Sequence, residues 1–104
     1  MPVLLTLDAS IFVAACRPAE SGHAEALGLL TALQHQALPL IEPALLITEV
    51  AAALGRSGIH AEPSMNLALN IARLPRLTLV SVDSRLAEHA AELMNAYKFG
   101  SLPV

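Results

Sequence analysis

The sequence predicts an α/β domain with a parallel sheet and helices on both of its faces, a three-layer α/β/α arrangement. Three short apolar segments, at residues 3–7, 38–43 and 76–82, each precede a segment with the composition of a helix. Strands that alternate with helices form βαβ units, and right-handed crossovers place the helices on the faces of the sheet. The chain of 104 residues has the length of one such domain, which we expect to span residues 1–104.

The first unit is a strand over 3–7 that is followed by a helix over 9–16, with Asp8 between them. The strand segment is continuously apolar rather than alternating, which is typical of a parallel strand that is buried on both faces. A second helical pattern, over 19–36, has apolar residues at helical spacing.

The second unit begins with a strand over 38–43, which continues into a helix over 45–56. Ser57 and Gly58 follow this helix, and a glycine at that position commonly ends a helix. A further helix is predicted over 62–74.

The third unit is a strand over 76–82 with a final helix over 83–98. Asp83 lies where this strand ends, and we interpret it as the N-cap of the helix rather than as a site residue. Glu42, which ends the second strand, is interpreted as facing solvent.

Composition limits the possible functions. The net charge is −3 with only 6 Lys and Arg, so a strong electrostatic footprint for nucleic acid is absent. Aromatic residues make up 3% of the chain and Trp is absent, which argues against a base-stacking platform. Hydrophobic residues make up 55%, more than one small domain can hide, which favours a homodimer or larger assembly.

The sequence also indicates the compartment. Cys16 is the single cysteine and cannot form an internal disulfide, so a reduced cytoplasm is expected. No apolar stretch reaches the roughly 18 residues that a membrane helix needs, so we expect no membrane association.

Two carboxylates lie in apolar surroundings, Asp8 after the first strand and Glu49 one turn into the helix after the second. Charges are rarely placed in apolar segments unless they are paired or hold a metal. The carboxyl ends of parallel strands share one edge, where ligands collect. Ser10 and Thr48 lie beside the two acids and could orient them or a bound water. The pattern predicts a weak Mg²⁺ or Mn²⁺ site, which would support attack of water on a phosphodiester.

Each acid also has a structural interpretation. Asp8 could cap the helix that begins at residue 9, and Glu49 could lie on the solvated face of an alanine-rich helix. The histidines share no metal-binding spacing, and no glycine-rich loop follows the first strand, which argues against nucleotide binding.

Taken together, the segments 7–15, 38–54 and 79–93 resemble the PIN domain family, over about residues 3–100. The resemblance implies a Mg²⁺- or Mn²⁺-dependent endoribonuclease of the VapC type, the toxin of a toxin–antitoxin pair. Such proteins are usually dimeric and held by an antitoxin. By this resemblance, Asp8 and Glu49 are the first two acids of the metal site.

The resemblance further implies a third acid on a helix after residue 100, and often another on a later strand. The sequence has neither, so we expect a C-terminally truncated PIN-like domain in which RNA cleavage is impaired. The alternative is a catalytically inactive PIN-like module that oligomerises or binds an antitoxin. Loss of the later strands would leave the strand over 3–7 at an edge of the sheet.

Overall fold

The computed structural model describes residues 4–81, which form a mixed α/β structure with a parallel sheet. The four helices are α1 (Ala9–Cys16), α2 (His23–His35), α3 (Leu46–Arg56) and α4 (Ala61–Ala72). The two strands are β1 (Leu40–Pro43) and β2 (Leu77–Val80). The α/β fold class predicted from the sequence is confirmed. The predicted helix over 83–98, with Asp83, lies outside the described residues. Between residues 4 and 81, no helix has the length and hydropathy needed to cross a membrane.

Strand β1 is the central strand of the described sheet. It pairs in parallel with β2, with Leu40 opposite Leu77 and Pro43 opposite Val80. On its other side lies the N-terminal segment (residues 4–7), which makes a single parallel bridge between Leu5 and Leu40. The carboxyl ends of the N-terminal segment and of both strands therefore meet at one edge.

The pairing of the N-terminal segment stops after Leu5 because Pro43 cannot continue it. The Leu5 N–H donates to the Pro39 carbonyl (3.2 Å), and the Leu5 carbonyl accepts from the Ile41 N–H (2.9 Å). The next step of a parallel ladder would need an N–H at residue 43, which proline lacks. The predicted strand over 3–7 is thus wrong in extent, although its partner and direction agree with a parallel sheet.

The prediction that this first strand is buried on both faces is also wrong. The side chain of Leu4 is 61% exposed, and Thr6 is exposed as well. Leu5 and Leu7 alternate with them and are half-buried, and Leu7 packs against the helical core. A continuously apolar sequence does not guarantee cover on both faces, because burial depends on elements distant in the chain.

Helix α3 is the centre of the hydrophobic core. Its residues Leu46, Val50 and Leu54 form a stripe with one residue per turn, and each is at most 2% exposed. The stripe packs against Phe12 of α1 and against Ala68 and Ile71 of α4, whose side chains belong to the same cluster. Burial of each large apolar side chain stabilises the fold by roughly 2 kcal/mol.

Helix α1 has the bounds that the sequence predicts, and α2 begins at His23, directly after Ser21 and Gly22, where the helical pattern over 19–36 has its opening turn. The intervening residues form turns, in which Arg17 makes a 3.0 Å ion pair with Glu20. The His23 Nδ1–H donates to the Ala14 carbonyl (2.8 Å), which joins the start of α2 to the last turn of α1. Local hydrogen bonding between the helices therefore sets the first residue of α2.

Helix α3 ends as predicted, at a left-handed glycine. Gly58 has φ of 103°, and its N–H donates to the Gly55 carbonyl at 3.1 Å. The Ile59 N–H then donates to the Leu54 carbonyl at 3.2 Å. This pair of bonds is the Schellman motif, which satisfies the last carbonyls of a helix.

Helix α2 ends in the same motif with an alanine in the glycine position. Ala37 has φ of 57°, its N–H donates to the Gln34 carbonyl, and the Leu38 N–H donates to the Leu33 carbonyl. A left-handed conformation strains a residue with a Cβ atom, at a cost of roughly 1–2 kcal/mol.

We expect Ala37→Gly to increase the free energy of unfolding by roughly 0.5–1 kcal/mol, because glycine adopts the left-handed conformation without the Cβ strain. Ala32→Gly, in the interior of the same helix, is the matched control and should decrease it by roughly 0.5–1 kcal/mol. Urea denaturation of the two variants beside the unmodified protein measures both changes. A loss of stability in Ala37→Gly would contradict the assignment of strain.

Candidate functional site

Asp8 occupies the N-cap position of α1, as its structural interpretation predicts. The Ser10 N–H donates to Asp8 Oδ2 at 3.0 Å. Hydrogen bonds from the Ser10 hydroxyl and then from its backbone N–H lower the pKa of Asp8. Asp8 is nevertheless exposed, and an ionised carboxylate has acceptor capacity beyond one cap bond. Capping and metal binding by Asp8 are therefore compatible, and Ser10 is the residue that orients it.

Glu49 lies in the first turn of α3 and is exposed. The next residue, Val50, is fully buried, which fixes the rotation of the helix and turns Glu49 away from the core. Thr48 uses its hydroxyl proton inside the same turn, where Oγ1 donates to the Leu45 carbonyl at 2.9 Å. Thr48 can therefore accept a hydrogen bond, but in this conformation it does not donate one to a carboxylate.

Asp8 and Glu49 line a common cleft of about 320 Å³, here called the acidic cleft. It lies at the carboxyl edge of the sheet, between the end of the N-terminal segment, the end of β1 and the first turn of α3. Its lining residues are Thr6, Leu7, Asp8, Ala9, Glu42, Pro43, Leu46 and Glu49. Both acids that the sequence predicts as site residues therefore reach the same concave surface.

Glu42 is a third carboxylate of this cleft, and its interpretation as solvent-facing is wrong. It is 1% exposed, because it lies two residues after Leu40 on the face of β1 whose side chains are buried. Oε2 accepts a hydrogen bond from the Leu7 N–H at 2.7 Å. Within residues 4–81, Oε1 has no hydrogen-bond partner. The available sequence signal was the two-residue period of the strand, which puts Glu42 on the same face as Leu40.

The surroundings of Glu42 disfavour its charge. Burial raises the pKa of Glu42, the hydrogen bond from the Leu7 N–H opposes that change, and the negative charge of Asp8 raises the pKa further. The two carboxylates therefore interact electrostatically across the cleft. A bound cation would relieve both the desolvation and the repulsion.

The bond between Leu7 and Glu42 takes the place of a backbone hydrogen bond. In a regular parallel ladder, the Leu7 N–H would donate to the Ile41 carbonyl. That carbonyl instead accepts the Thr6 hydroxyl at 2.7 Å, and the Leu7 N–H turns to the Glu42 carboxylate. Side chains thus complete the connection where the backbone pairing ends.

A second cleft, of about 640 Å³, lies between α1 and α3 and shares Ala9 and Glu49 with the acidic cleft. We call it the helical cleft, and its other lining residues are Ser10, Val13, Glu20, Thr48, Ala52, Ala53 and Arg56. Glu49 and Arg56 lie on the same face of α3, about 10 Å apart along its axis. The helical cleft therefore carries the guanidinium of Arg56 together with the carboxylates of Glu20 and Glu49. Arg73 and Arg76 precede β2 and lie toward the opposite edge of the sheet.

The donor set at this edge fits a hard divalent cation. Asp8 and Glu49 offer carboxylate oxygens, and the buried Oε1 of Glu42 lacks a partner among the described residues. Mg²⁺ and Mn²⁺ prefer oxygen ligands and commonly retain several waters. In the part of the chain that the structure describes, no three Asp, Glu, His or Cys side chains converge on one ion position. A cation here would therefore be held by few direct protein ligands.

Within residues 4–81, the remaining reactive side chains form no second metal-binding cluster. Burial raises the pKa of the Cys16 thiol, which makes it a poor nucleophile. His23 is used in the contact between α1 and α2, and His89 lies outside the described residues.

Comparison with known families identifies the fold. The family model of the PIN domain matches residues 5–103. The chain belongs to the PIN domain family. PIN domains are typically nucleases that depend on a divalent cation, and the family suggests RNA as the substrate. No curated protein and no solved structure matches the chain.

The raised pKa of Glu42 predicts a pH dependence of stability for this PIN domain in the absence of metal. Above the ordinary value of 4.5, the folded protein holds this proton more tightly than the unfolded chain does. The contribution of Glu42 is therefore fully present below pH 4.5 and is lost as the pH rises through the folded pKa. The pKa of Asp8 is lowered, so its opposite contribution is lost only below its ordinary value of 3.8, outside this interval.

We expect Glu42→Gln to remove this decline, because the amide cannot ionise and its oxygen can still accept the Leu7 N–H. Urea denaturation from pH 4 to pH 8 in EDTA measures the effect. Glu62→Gln changes an exposed acid on α4 and is the matched control, with a profile like that of the unmodified protein. If the free energy of unfolding changed with pH in the same way for Glu42→Gln and the unmodified protein, the predicted contribution of Glu42 would be contradicted.

Proposed function

We propose that this PIN domain is a Mg²⁺- or Mn²⁺-dependent endoribonuclease of the VapC toxin type, formed by residues 1–104 as a single domain. The observation that supports this proposal is that Asp8 and Glu49 line one cleft at the carboxyl edge of the sheet. The family match over residues 5–103 supports the nuclease class.

Asp8 and Glu49 are the residues that would hold the cation. When bound, a divalent cation lowers the pKa of a coordinated water and polarises a phosphoryl oxygen. Asp8 is oriented by Ser10, and Glu49 is oriented by the buried stripe of α3. Arg56, at the far end of the helical cleft, would contact a neighbouring phosphate of the RNA and so position the chain.

We infer that cation binding is weak and that cleavage is slow. Two carboxylate ligands leave most of the coordination sphere to water, and they carry less negative charge than a larger cluster of acids would. Fewer protein ligands also fix the cation less firmly relative to the scissile phosphate.

We further propose a cognate antitoxin protein and a second copy of the chain as partners, in the cytoplasm. The exposed apolar side chains support such partners, because exposed Leu4, Leu27, Leu29, Leu45, Met65, Leu69 and Val80 are available for burial. The unpaired Cys16 suits a reducing compartment.

We expect slow cleavage of single-stranded RNA in Mn²⁺, which EDTA abolishes and which Asp8→Asn and Glu49→Gln each reduce by roughly 100-fold or more. Each substitution removes a charged ligand and keeps the size of the side chain. Single-turnover assays with enzyme in excess measure the rate. Glu62→Gln is the control and should retain the rate of the unmodified protein.

Cleavage that survives Asp8→Asn would contradict the proposed site. A folded protein that cleaves no RNA in Mn²⁺, but assembles and binds a partner, would instead support the inactive PIN-like module. Circular dichroism of every variant separates loss of activity from loss of fold.

The proposed dimer also leads to a prediction about assembly. Leu5 pairs with β1 through one edge of the N-terminal segment, and no other described strand pairs with its opposite edge. An open edge with an apolar residue invites pairing with another chain. We therefore expect a homodimer at micromolar concentration by sedimentation velocity, with the N-terminal segment in the interface.

Leu4→Lys should weaken the dimer by at least about tenfold, because a lysine on an edge strand opposes pairing. Asn66→Lys, at an exposed asparagine on α4, should leave the dimer intact. A monomeric unmodified protein would overturn the assembly proposal.

A further inference from the structure

We propose that Glu42 is a positioning residue of the cation site, with Oε1 accepting a hydrogen bond from a water that the cation holds. This inference rests on the proposed function, because it assumes a cation at Asp8 and Glu49. Glu42 is not one of the acids that the sequence pattern assigns to that site.

The first observation is the incomplete bonding of a buried carboxylate. Glu42 is 1% exposed, and only one of its oxygens is bonded within residues 4–81. A buried acceptor without a partner costs free energy, and the side chain could have avoided this cost if it were apolar. The acidic cleft, which Glu42 lines together with Asp8 and Glu49, is where a partner for Oε1 would lie.

The second observation is that no cationic side chain within residues 4–81 pairs with this carboxylate. The ion pair of the described region joins Arg17 to Glu20, and Arg56 lines the helical cleft rather than the acidic cleft. Asp8, the other charged group that acts on Glu42, has the same sign. Three acids around one small cleft therefore favour a positive charge that residues 4–81 do not supply.

Contact through water agrees with the positions of the three acids. No three metal-binding side chains converge within the described part of the chain, so Glu42 is not placed as a direct third ligand. Mg²⁺ dehydrates reluctantly and keeps several waters, whose hydrogens need acceptors. A carboxylate oxygen that lacks a partner is such an acceptor, and groups of this kind tune the affinity of a metal site.

Glu42 has a second connection to the site through the backbone. Its Oε2 accepts the N–H of Leu7, the residue directly before Asp8, at 2.7 Å. One carboxylate thus joins the end of β1 to the backbone that carries a metal ligand. Glu42→Gln separates the two roles, because the amide oxygen keeps the bond to Leu7 while the charge is lost.

The test measures binding of Mn²⁺ to the full chain without RNA, by electron paramagnetic resonance of the free ion. We expect Glu42→Gln to bind Mn²⁺ 10- to 100-fold more weakly than the unmodified protein, roughly the range for groups that act on a metal through its ligands. Glu62→Gln should bind as the unmodified protein does. Equal affinities, within twofold, for Glu42→Gln and the unmodified protein would overturn the inference.

Asp8→Asn distinguishes failure of this inference from failure of the proposed function. If Asp8→Asn loses Mn²⁺ binding while Glu42→Gln retains it, the result supports the proposed cation site and contradicts only the role of Glu42. If Asp8→Asn and the unmodified protein bind Mn²⁺ equally, or neither binds it, the proposed site falls and the role of Glu42 falls with it.

A measurement on the unmodified protein covers the case in which Glu42→Gln does not fold. Bound Mn²⁺ broadens the ¹³C carboxyl resonances of nearby acids. We expect the Glu42 resonance to broaden at the same Mn²⁺ concentrations as those of Asp8 and Glu49, while that of Glu62 stays sharp. A sharp Glu42 resonance beside a broadened Asp8 resonance would overturn the inference.

Discussion

Pro43 has no backbone N–H, and the backbone ladder between the N-terminal segment and β1 ends where that N–H would be needed. The Ile41 carbonyl, which would be the ladder acceptor of the Leu7 N–H, accepts the Thr6 hydroxyl instead, and the Leu7 N–H donates to the Glu42 carboxylate. The chain then passes directly into Asp8 and α1. The acidic cleft lies where the N-terminal segment and β1 separate, so the positions of its carboxylates depend on where the backbone pairing ends.

The cost of this arrangement is electrostatic. Glu42 and Asp8 repel each other, and Glu42 is buried with one oxygen unbonded in the described region. The core of α1, α3 and α4 is continuous and apolar, so it can stabilise a local region that is unfavourable by itself. The unfavourable interactions of Glu42 and Asp8 lie together at one edge of the sheet. Acids in this state suit a cation site, because an acid already paired with a protein cation would bind metal less well.

Both of the predicted site acids lie at helix N-termini. Asp8 caps α1, and Glu49 lies in the first turn of α3, so each carboxylate is at the positive end of a helix. Among the described residues, neither acid is paired with a basic side chain that would compete with a cation. Ala52 and Ala53 have small side chains and line the helical cleft between Glu49 and Arg56. In the proposed function, this space would hold the phosphates of the RNA.

The sequence alone determined features that depend on neighbouring residues. It placed α1 at its observed bounds, ended α3 before Gly58 and put Asp8 and Glu49 at the starts of two helices, because capping, helical period and glycine conformation are local. Asp8 and Glu49 were therefore recognisable as candidates before their common cleft was known.

Which faces are covered and which backbone groups find partners depends on the assembled fold. The segment 4–7 is as apolar as a buried strand, yet Leu4 is exposed and only Leu5 pairs, because Pro43 on a distant strand ends the ladder. Glu42 looked solvent-facing beside a proline, yet it lies on the face of β1 that it shares with Leu40, where both side chains are buried. These outcomes depend on contacts between residues more than thirty positions apart, as in the bond between Leu7 and Glu42. No local pattern encodes such contacts, because burial is a property of the assembled layers rather than of the residue that becomes buried.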